Sequence, residues 1–357
     1  MRLMPRSGVS NAIAAGLLIV GILIGAAGFY VATSYQTKTV TKTETTTTSL
    51  ATTATTTEPT TITQSTTLTA TTTLTTSAST VPVGCGSVIT TDTTLVANIG
   101  PCSGIGLVIG ANGIILNGAG YTISGTGSNI GISLTGVSGV TVENCNVTGF
   151  LYGFQLTGAS SNTLTKDTAS KNGYGFYLLS SSDNNTLAGD VANKNTESKS
   201  FGFQVYGSSY NTLTGNTANG NSYGFSIYVS ATKNVLAGNT ANGNYYFGFS
   251  VTTSSNDNIL VGNTAKSNYY GFDLTNSSSN TLAGNTANGN NVYGFTLNTS
   301  TGDTLVGNTA DVNGNYGFVD NSAGVGTRGT ANFYSDNECN GNSLGGSNPS
   351  GLGSPES

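Results

Sequence analysis

Short apolar stretches recur along most of the chain, separated by runs of Asn, Gly, Thr and Ser. Residues 211–225 read NTLTGNTANGNSYGF, in which Leu213 and Ala218 are isolated apolar positions, while Phe225 and Ile227 alternate with a polar residue. Apolar residues at a spacing of two predict a β-strand with one buried face. The Asn and Gly residues between them favour corners over helices. The pattern therefore predicts short strands joined by tight corners.

This phrase is repeated at intervals of 22 to 26 residues. Its first residue recurs as Asn162, Asn185, Asn211, Asn234, Asn258 and Asn280, with Asp303 in the seventh copy. Its aromatic-Gly-Phe tail ends at Phe154, Phe176, Phe203, Phe225, Phe249, Phe272, Phe295 and Phe318. A fixed period of this length indicates a solenoid. The leucine-rich consensus and the helix formers of other solenoids are missing, so the copies predict a parallel β-helix with one coil per copy.

In such a fold, equivalent residues of successive coils lie above one another. The Phe series predicts an aromatic ladder inside the coils, and Ala169 through Ala310 predict a small-residue ladder. A third ladder is expected from Leu164, Leu187, Leu213, Leu236, Leu260, Leu282 and Leu305. A column of amides at one corner is expected from Asn216, Asn239, Asn263, Asn285 and Asn308. Stacked side-chain amides can hydrogen-bond from coil to coil.

The phrase NTLxGN…ANGNxYGF resembles the right-handed parallel β-helix repeats of the NosD-like and pectate-lyase-like superfamily. The resemblance covers roughly residues 85–349. It implies an all-β, right-handed parallel β-helix of about eleven coils over residues 84–345, followed by a disordered tail at residues 346–357. Its members include lyases, hydrolases, epimerases and non-catalytic surface proteins, so the resemblance is specific for the fold and not for the function.

The N-terminal part predicts a membrane anchor and a stalk. Residues 1–11 contain two Arg and no acid, and residues 12–32 contain no charge, which is long enough to span a bilayer. We expect a single-pass signal anchor with a cytoplasmic N-terminus and an extracellular folded domain. The alternative is a cleaved signal peptide and a secreted protein. Residues 33–83 are Thr/Ser-rich and predict a disordered stalk, either O-glycosylated or an unmodified linker.

The four cysteines divide into two groups. The resemblance implies that Cys85 and Cys102 form a disulfide in the N-terminal cap, where a β-helix end needs protection. Cys145 and Cys339 lie some eight coils apart in the predicted solenoid and cannot bond each other. We expect Cys145 to be a small buried residue. Cys339 is expected to be free or bonded to another molecule.

Two acids, Asp167 and Asp190, occupy the first positions of the predicted amide column. One interpretation is a Ca²⁺ site or the acid/base pair of a polysaccharide lyase. The other interpretation, which we favour, is a pair of surface charges neutralised by Lys166, Lys171 and Lys194. Apart from this candidate calcium site, we expect no metal site and no cofactor.

Composition narrows the function. The net charge is −5, so no basic stripe is available for nucleic acid. The resemblance implies that lyases need an Arg or Lys base, and Arg328 is the sole Arg of the predicted coils. The resemblance also implies that epimerases of this fold use a His-containing motif. A copper role, which the NosD name suggests, would need His or Met ligands. The chain has no His, and Met occurs at positions 1 and 4 alone.

Tyrosines precede Gly-Phe in six copies, at Tyr152, Tyr174, Tyr223, Tyr270, Tyr293 and Tyr316. If they line an outer corner, they form an aromatic strip suited to stacking on sugar rings. Packing against one another beside the corner Gly is the alternative. Candidate glycosylation sites are Asn146, Asn184, Asn276 and Asn298.

These observations predict a membrane-anchored cell-surface β-helix without catalytic activity. It would be structural, adhesive or glycan-binding, and its partners would be the membrane, a polysaccharide or other surface proteins. The alternative is a polysaccharide lyase or hydrolase of the same fold.

Overall fold

The computed structural model describes residues 43–46, 68–71, 83–195 and 200–354. Residues 1–11, the predicted membrane span at residues 12–32 and most of the predicted stalk lie outside the described residues. Within the stalk, the strands Thr43–Thr46 and Leu68–Thr71 pair with each other in antiparallel orientation. In the part of the chain that the structure describes, no helix is both long enough and apolar enough to cross a membrane.

Residues 83–195 and 200–354 form a right-handed parallel β-helix of about ten turns, close to the eleven expected. Most turns contribute one strand to each of three sheets, with corners between them. We name the sheets after the residue that they bury: the Phe sheet, the Leu sheet and the Ala sheet. The chain passes through them in this order, and the turns that begin at Phe201, Tyr293 and Tyr316 have no strand in the Ala sheet.

The strand bounds reflect this regularity. The twelve strands of the Phe sheet are Ser87–Ile89, Leu107–Ile109, Ile130–Thr135, Tyr152–Thr157, Tyr174–Leu179, Phe201–Tyr206, Tyr223–Tyr228, Phe247–Thr252, Tyr270–Thr275, Tyr293–Asn298, Tyr316–Asp320 and Gly345–Asn348. The eleven strands of the Leu sheet are Thr93–Thr94, Ile115–Asn117, Thr141–Glu143, Thr163–Thr165, Thr186–Ala188, Thr212–Thr214, Val235–Ala237, Ile259–Val261, Thr281–Ala283, Thr304–Val306 and Phe333–Ser335. The Ala sheet consists of Ile99–Cys102, Thr122–Gly125, Asn146–Thr148, Thr168–Ser170, Val191–Asn193, Thr240–Asn242, Thr264–Lys266 and Thr286–Asn288. A 3₁₀ helix, Thr327–Gly329, lies in the last corner loop.

The predicted Phe ladder is confirmed. Strands pair in register, so that Phe203 aligns with Phe225, and Phe225 with Phe249. Rings from Phe154 to Phe318 are 0–1% exposed, with neighbouring centroids 4.6–4.9 Å apart and planes within 8° of parallel. The Leu and Ala ladders are also fully buried. The apolar core is therefore a set of columns that run parallel to the axis.

The Gly of the aromatic-Gly-Phe tail is required by close approach between turns. A Cβ on Gly224 would lie 2.5 Å from the carbonyl oxygen of Gly248 and 2.9 Å from the Cβ of Ala241. Neither contact is sterically allowed. A larger residue at this position would push successive turns apart, which explains why the copies keep Gly there.

The predicted amide column is confirmed, and two more columns accompany it. The backbone N–H of Asn216 donates to Oδ1 of Asn239 at 2.9 Å. Nδ2 of Asn239 donates to the carbonyl of Leu213 at 2.9 Å and to Oδ1 of Asn263 at 2.9 Å. Each amide therefore satisfies buried backbone groups at a corner, where no sheet hydrogen bond is available.

Each column occupies one corner. The first is Asn162, Asn185, Asn211, Asn234, Asn258, Asn280, Asp303 and Asn332. The second is Asp167, Asp190, Asn216, Asn239, Asn263, Asn285, Asn308 and Asn337. The third is Asn172, Asn195, Asn221, Asn244, Asn268, Asn290, Asn313 and Asn342. All these side chains are buried.

The two ends of the β-helix differ from the repeats. The Cys85–Cys102 disulfide closes the first turn, as the resemblance implied. At the other end, order continues past residue 345: Leu352 is 2% exposed and Ser354 forms a β-bridge with Glu338. Cys145 is buried, as expected. Cys339 is also 0% exposed and is not disulfide-bonded, which agrees with the first of its two expected states.

Candidate functional site: the outer face of the Phe sheet

The outer face of the Phe sheet carries three columns of side chains. They come from the first, fourth and sixth residues of each six-residue strand, such as Tyr270, Asp273 and Thr275. The residues between these positions, Gly271, Phe272 and Leu274, are buried. Because the strands are in register, the same position repeats once per turn along the axis.

The first column is a continuous aromatic strip. It consists of Tyr152, Tyr174, Phe201, Tyr223, Phe247, Tyr270, Tyr293 and Tyr316, and so contains all six predicted tyrosines. Neighbouring ring centroids are 4.7–6.5 Å apart, and the rings are half-buried. The rings thus pack against one another, as the alternative interpretation predicted. Their outer edges remain accessible from the sheet surface.

A groove of about 450 Å³ lies beside the strip towards the C-terminal end of the sheet. One wall is aromatic, the floor carries the fourth-position side chains, and the other wall carries hydroxyl and amide groups. Its lining residues are Phe247, Tyr270, Asp273, Thr275, Tyr293, Thr296, Asn298, Val319, Asn321 and Asn348. An aromatic wall with a few polar groups is typical of a small-molecule or carbohydrate site.

Asp273 is the ionisable group on the groove floor. It is 6% exposed, and the hydroxyl of Thr275 donates to its Oδ1 at 3.0 Å. Burial raises the pKa of Asp273 to about 7, although the hydrogen bond from Thr275 opposes the shift. Burial raises the pKa of Tyr223 and Tyr270, and the negative charge of Asp273 raises the pKa of both further. Sequence analysis did not identify Asp273 as a candidate site residue.

Three further tyrosines stand beside the strip: Tyr245, Tyr246 and Tyr269, which we call the tyrosine cluster. They are 72%, 38% and 43% exposed. Tyr245 meets Tyr246 edge-to-face at 4.6 Å, and Tyr269 meets Tyr270 in the same way at 4.8 Å. Sequence analysis missed them, although the doubled Tyr in NYYFGF and NYYGF is a visible departure from the repeat. The cluster adds accessible aromatic surface next to the groove.

Asp167 and Asp190 are not a pair of surface charges. Both are 0% exposed, so the favoured interpretation as surface charges neutralised by lysines is wrong. Oδ1 of Asp167 accepts the backbone N–H of Cys145 at 2.8 Å, and Oδ1 of Asp190 accepts that of Asp167 at 2.8 Å. Their Oδ2 atoms are buried without a hydrogen-bond partner, as is Oδ2 of Asp303. The two acids thus replace amides inside a structural column.

Burial accounts for the charge state of these acids. It raises the pKa of Asp190 to about 8 and that of Asp303 to about 7. The pKa of Asp167 is raised well above its ordinary value by burial and by the neighbouring Asp190. With a pKa of about 8, Asp190 is mostly protonated at pH 7, and Asp303, with a pKa of about 7, is about half protonated there. A protonated carboxyl can donate from Oδ2, as the amide Nδ2 of Asn does.

The candidate glycosylation residues differ in accessibility. Asn184 and Asn276 are exposed, whereas Asn146 and Asn298 are half-buried. Nδ2 of Asn146 donates to the carbonyl of Gly120 at 2.7 Å, and Oδ1 of Asn298 accepts from Asn321 at 2.6 Å. Asn184 and Asn276 therefore offer the more accessible amides for modification.

A second cavity, of about 330 Å³, lies at the C-terminal end of the β-helix. Arg328 and Asp336 both line it, together with Tyr334. The sole Arg of the predicted coils thus lines a cavity of its own and is not among the residues that line the groove.

Comparison with known protein families gives one match. Residues 85–264 and 247–351 match the model of a family described as "Periplasmic copper-binding protein (NosD)". No curated protein has a sequence that matches the chain.

Several solved structures share the fold. The Dettilon tailspike protein superposes with a TM-score of 0.55 at 17% identity, over 72% of this chain and 60% of the tailspike chain. The periplasmic alginate epimerase AlgG superposes with a TM-score of 0.53 at 14% identity, over 70% of this chain and 72% of the epimerase chain. PfbA, a surface adhesin of Streptococcus pneumoniae, superposes with a TM-score of 0.50 at 11% identity, over 72% of this chain and 82% of the adhesin chain. At these identities the likeness shows a common fold and nothing about activity.

Proposed function

This chain belongs to the NosD family, and we propose that it is a glycan-binding protein of the cell surface that does not act catalytically on its ligand. The groove and the aromatic strip on the Phe sheet carry the proposal. They combine accessible aromatic edges with hydroxyl, amide and carboxyl groups, which is the chemistry that binds a polyhydroxylated ligand. In this proposal the protein needs no cofactor.

The residues of this chain do not fit the copper in the family's description. Copper sites use His, Cys or Met, and the chain has no His and just two Met, at positions 1 and 4. Cys145 and Cys339 are buried eight turns apart, about 38 Å at the spacing of strands in a sheet. Among residues 83–195 and 200–354, no cluster of three or more His, Cys, Asp or Glu could hold a metal. Our proposal therefore involves no copper.

The outer face of the Phe sheet lacks the paired groups that catalysis on a polysaccharide would need. Glycoside hydrolysis by the usual routes needs two carboxyl groups flanking the bond. On the strands of this face, Asp273 is the one outward-facing acid, since Asp320 aligns with the inward-facing Leu297. Asp320 accepts hydrogen bonds from Asn332 and Tyr334. The strands of the Phe sheet contain no Lys or Arg to act as the base of a lyase. The groove can bind a sugar but lacks a pair of reacting groups.

An enzyme is the second candidate, and one observation favours it. Asp273 combines a groove position with a pKa of about 7, a combination that marks many catalytic acids. A polysaccharide lyase or hydrolase would use this carboxyl with a partner from outside the sheet strands. The alginate epimerase and the pneumococcal adhesin share the fold, so the fold is compatible with either function.

The location belongs to the same proposal. Residues 12–32 would anchor the protein in the cell membrane, and the Thr-rich residues 33–83 would hold the β-helix away from it. The disulfide of the first turn suits an oxidising space outside the cytoplasm. There the rod would contact polysaccharides or other surface proteins.

Binding and turnover can be measured side by side. The full-length protein is tested on a glycan panel for saturable binding, and on polysaccharides for new reducing ends or unsaturated products. We expect binding without products. Tyr293→Ala, which removes part of the aromatic wall of the groove, should weaken binding about tenfold, whereas Tyr210→Ala, which removes an exposed tyrosine outside the groove, should not. Depolymerisation that is abolished by Asp273→Ala would establish the enzyme instead.

A further inference from the structure

The charge of the groove is one-sided. Strands of the Phe sheet contain no Lys or Arg, and Asp273 is the acid on their outer face. Tyr223 and Tyr270, which interact electrostatically with Asp273, have a pKa that burial raises further above 10, so they add no charge. A ligand that carries carboxylates or sulfates would thus meet no counter-charge on this face. It would also meet repulsion from Asp273 once that group is ionised.

The groove is also periodic. Register pairing repeats the first, fourth and sixth strand positions once per turn, for example Phe247, Tyr270 and Tyr293 along the aromatic wall. Successive turns are about 4.8 Å apart, as in any sheet. This rise is close to the length of one sugar unit in an extended chain. A polymer parallel to the axis would therefore present one unit to each turn and meet the same kind of wall each time.

We propose that the groove takes an unbranched, uncharged polysaccharide that lies parallel to the β-helix axis, and that Asp273 disfavours acidic polymers. The inference rests on the proposed glycan-binding function and names its ligand class. The aromatic strip supplies one wall, and the sugar hydroxyls hydrogen-bond to Thr275, Thr296 and Asn298 on the floor and the opposite wall. Asp273 accepts hydrogen bonds from sugar hydroxyls when it is ionised.

Matched oligosaccharides test the ligand class. Full-length protein is titrated with cello-, manno- and xylo-oligosaccharides, from disaccharide to octasaccharide, and with oligogalacturonides of the same lengths. We expect affinity for at least one neutral series to rise with length. At about pH 8.5, where Asp273 is ionised, oligogalacturonides should bind at least about tenfold more weakly than the neutral series. The gap should narrow at about pH 5.

Two variants test whether Asp273 causes the weaker binding of oligogalacturonides. Asp273→Asn removes the charge and keeps the shape, so it should narrow the gap at about pH 8.5. Asp257→Asn removes an exposed charge of the preceding turn, outside the groove, and should leave the gap unchanged. Equal or tighter binding of oligogalacturonides by the unmodified protein, an unchanged gap in Asp273→Asn, or affinity that does not rise beyond the disaccharide would overturn the inference. Binding of no glycan at all would overturn the proposed function itself.

Discussion

The backbone N–H of Asp167 donates a 2.8 Å hydrogen bond to Oδ1 of Asp190 in the next turn, the same bond that Asn216 makes to Asn239 further along the column. At the amide positions, Nδ2 supplies a second hydrogen bond to a buried carbonyl, as in Asn216 to Leu187 at 3.0 Å. An ionised carboxylate has no donor for that purpose. The hydrogen-bonding requirement of the buried carbonyl at these positions is therefore met by a protonated carboxyl or by an amide, and not by a carboxylate.

This arrangement predicts that the protein is most stable in acid. The folded pKa of Asp190 is about 8, above the value of about 3.9 for an unfolded carboxyl. Stability is then fully present below about pH 4 and is lost as the pH rises towards about 8, by up to about 1.4 kcal/mol per pH unit for one group. Asp167, which also faces Glu143 and Cys145, acts in the same direction. Melting temperatures between about pH 4 and pH 8.5 measure the effect.

The Asp→Asn variants of the column give the matching test. Asp190→Asn restores the column's own amide, so it should raise the melting temperature at about pH 8 and change it little at about pH 4. Asp257→Asn, which removes an exposed acid, should leave the pH profile as it is. A lower melting temperature for Asp190→Asn at alkaline pH would show that the native column requires the charge.

The Phe ladder should dominate the stability of each turn. Phe225 is 1% exposed and stacks on Phe203 and Phe249 at 4.8 Å. Phe225→Ala should lower the free energy of unfolding by about 3–5 kcal/mol, because it leaves a cavity between two rings. Phe333, which is 52% exposed, is the control, and Phe333→Ala should cost less than about 1 kcal/mol. Equal losses in the two variants, measured by urea unfolding, would contradict the ladder as the main stabilising element.

The disulfide should stabilise the N-terminal end. The bond closes a loop with a sequence separation of 17 residues, for which chain entropy predicts about 3 kcal/mol. A Cys85→Ala, Cys102→Ala double variant should unfold at lower temperature and expose the first turn to protease before the rest of the rod. Cys145→Ala is the control for the loss of a buried thiol, with the first turn still protected. Proteolysis that begins elsewhere in the double variant would contradict a protective role for the bond.

Residues 12–32 should keep the protein in the membrane. We expect the full-length protein to stay in the membrane fraction after carbonate washing, because an uncharged span of this length is not removed by high pH. Protease added to intact cells should release the β-helix, since the predicted stalk lies outside. A soluble fragment that begins near Thr33 without added protease would show that the segment is a cleaved signal.

Sequence periodicity alone determined the solenoid and its inward columns. The Phe, Leu and Ala residues recur at the repeat spacing, and burial in a β-helix recurs at the same spacing, so the pattern identifies the core without coordinates. The disulfide came from a family resemblance. The aromatic strip was also predictable, because any residue that repeats at one strand position must form a column.

Only the tertiary structure decided what the corner and groove residues do. Lys166 and Gly189 have left-handed backbones, with φ of 56° and 68°, and the residues after them, Asp167 and Asp190, have their side chains turned into the interior. Periodicity could not reveal that direction, because a corner side chain points inward or outward according to the dihedral angles of its neighbours. Asp273 lies in a groove because Phe247 and Tyr293 of the adjacent turns form the aromatic wall beside it, and these residues are 20 or more positions away in the sequence.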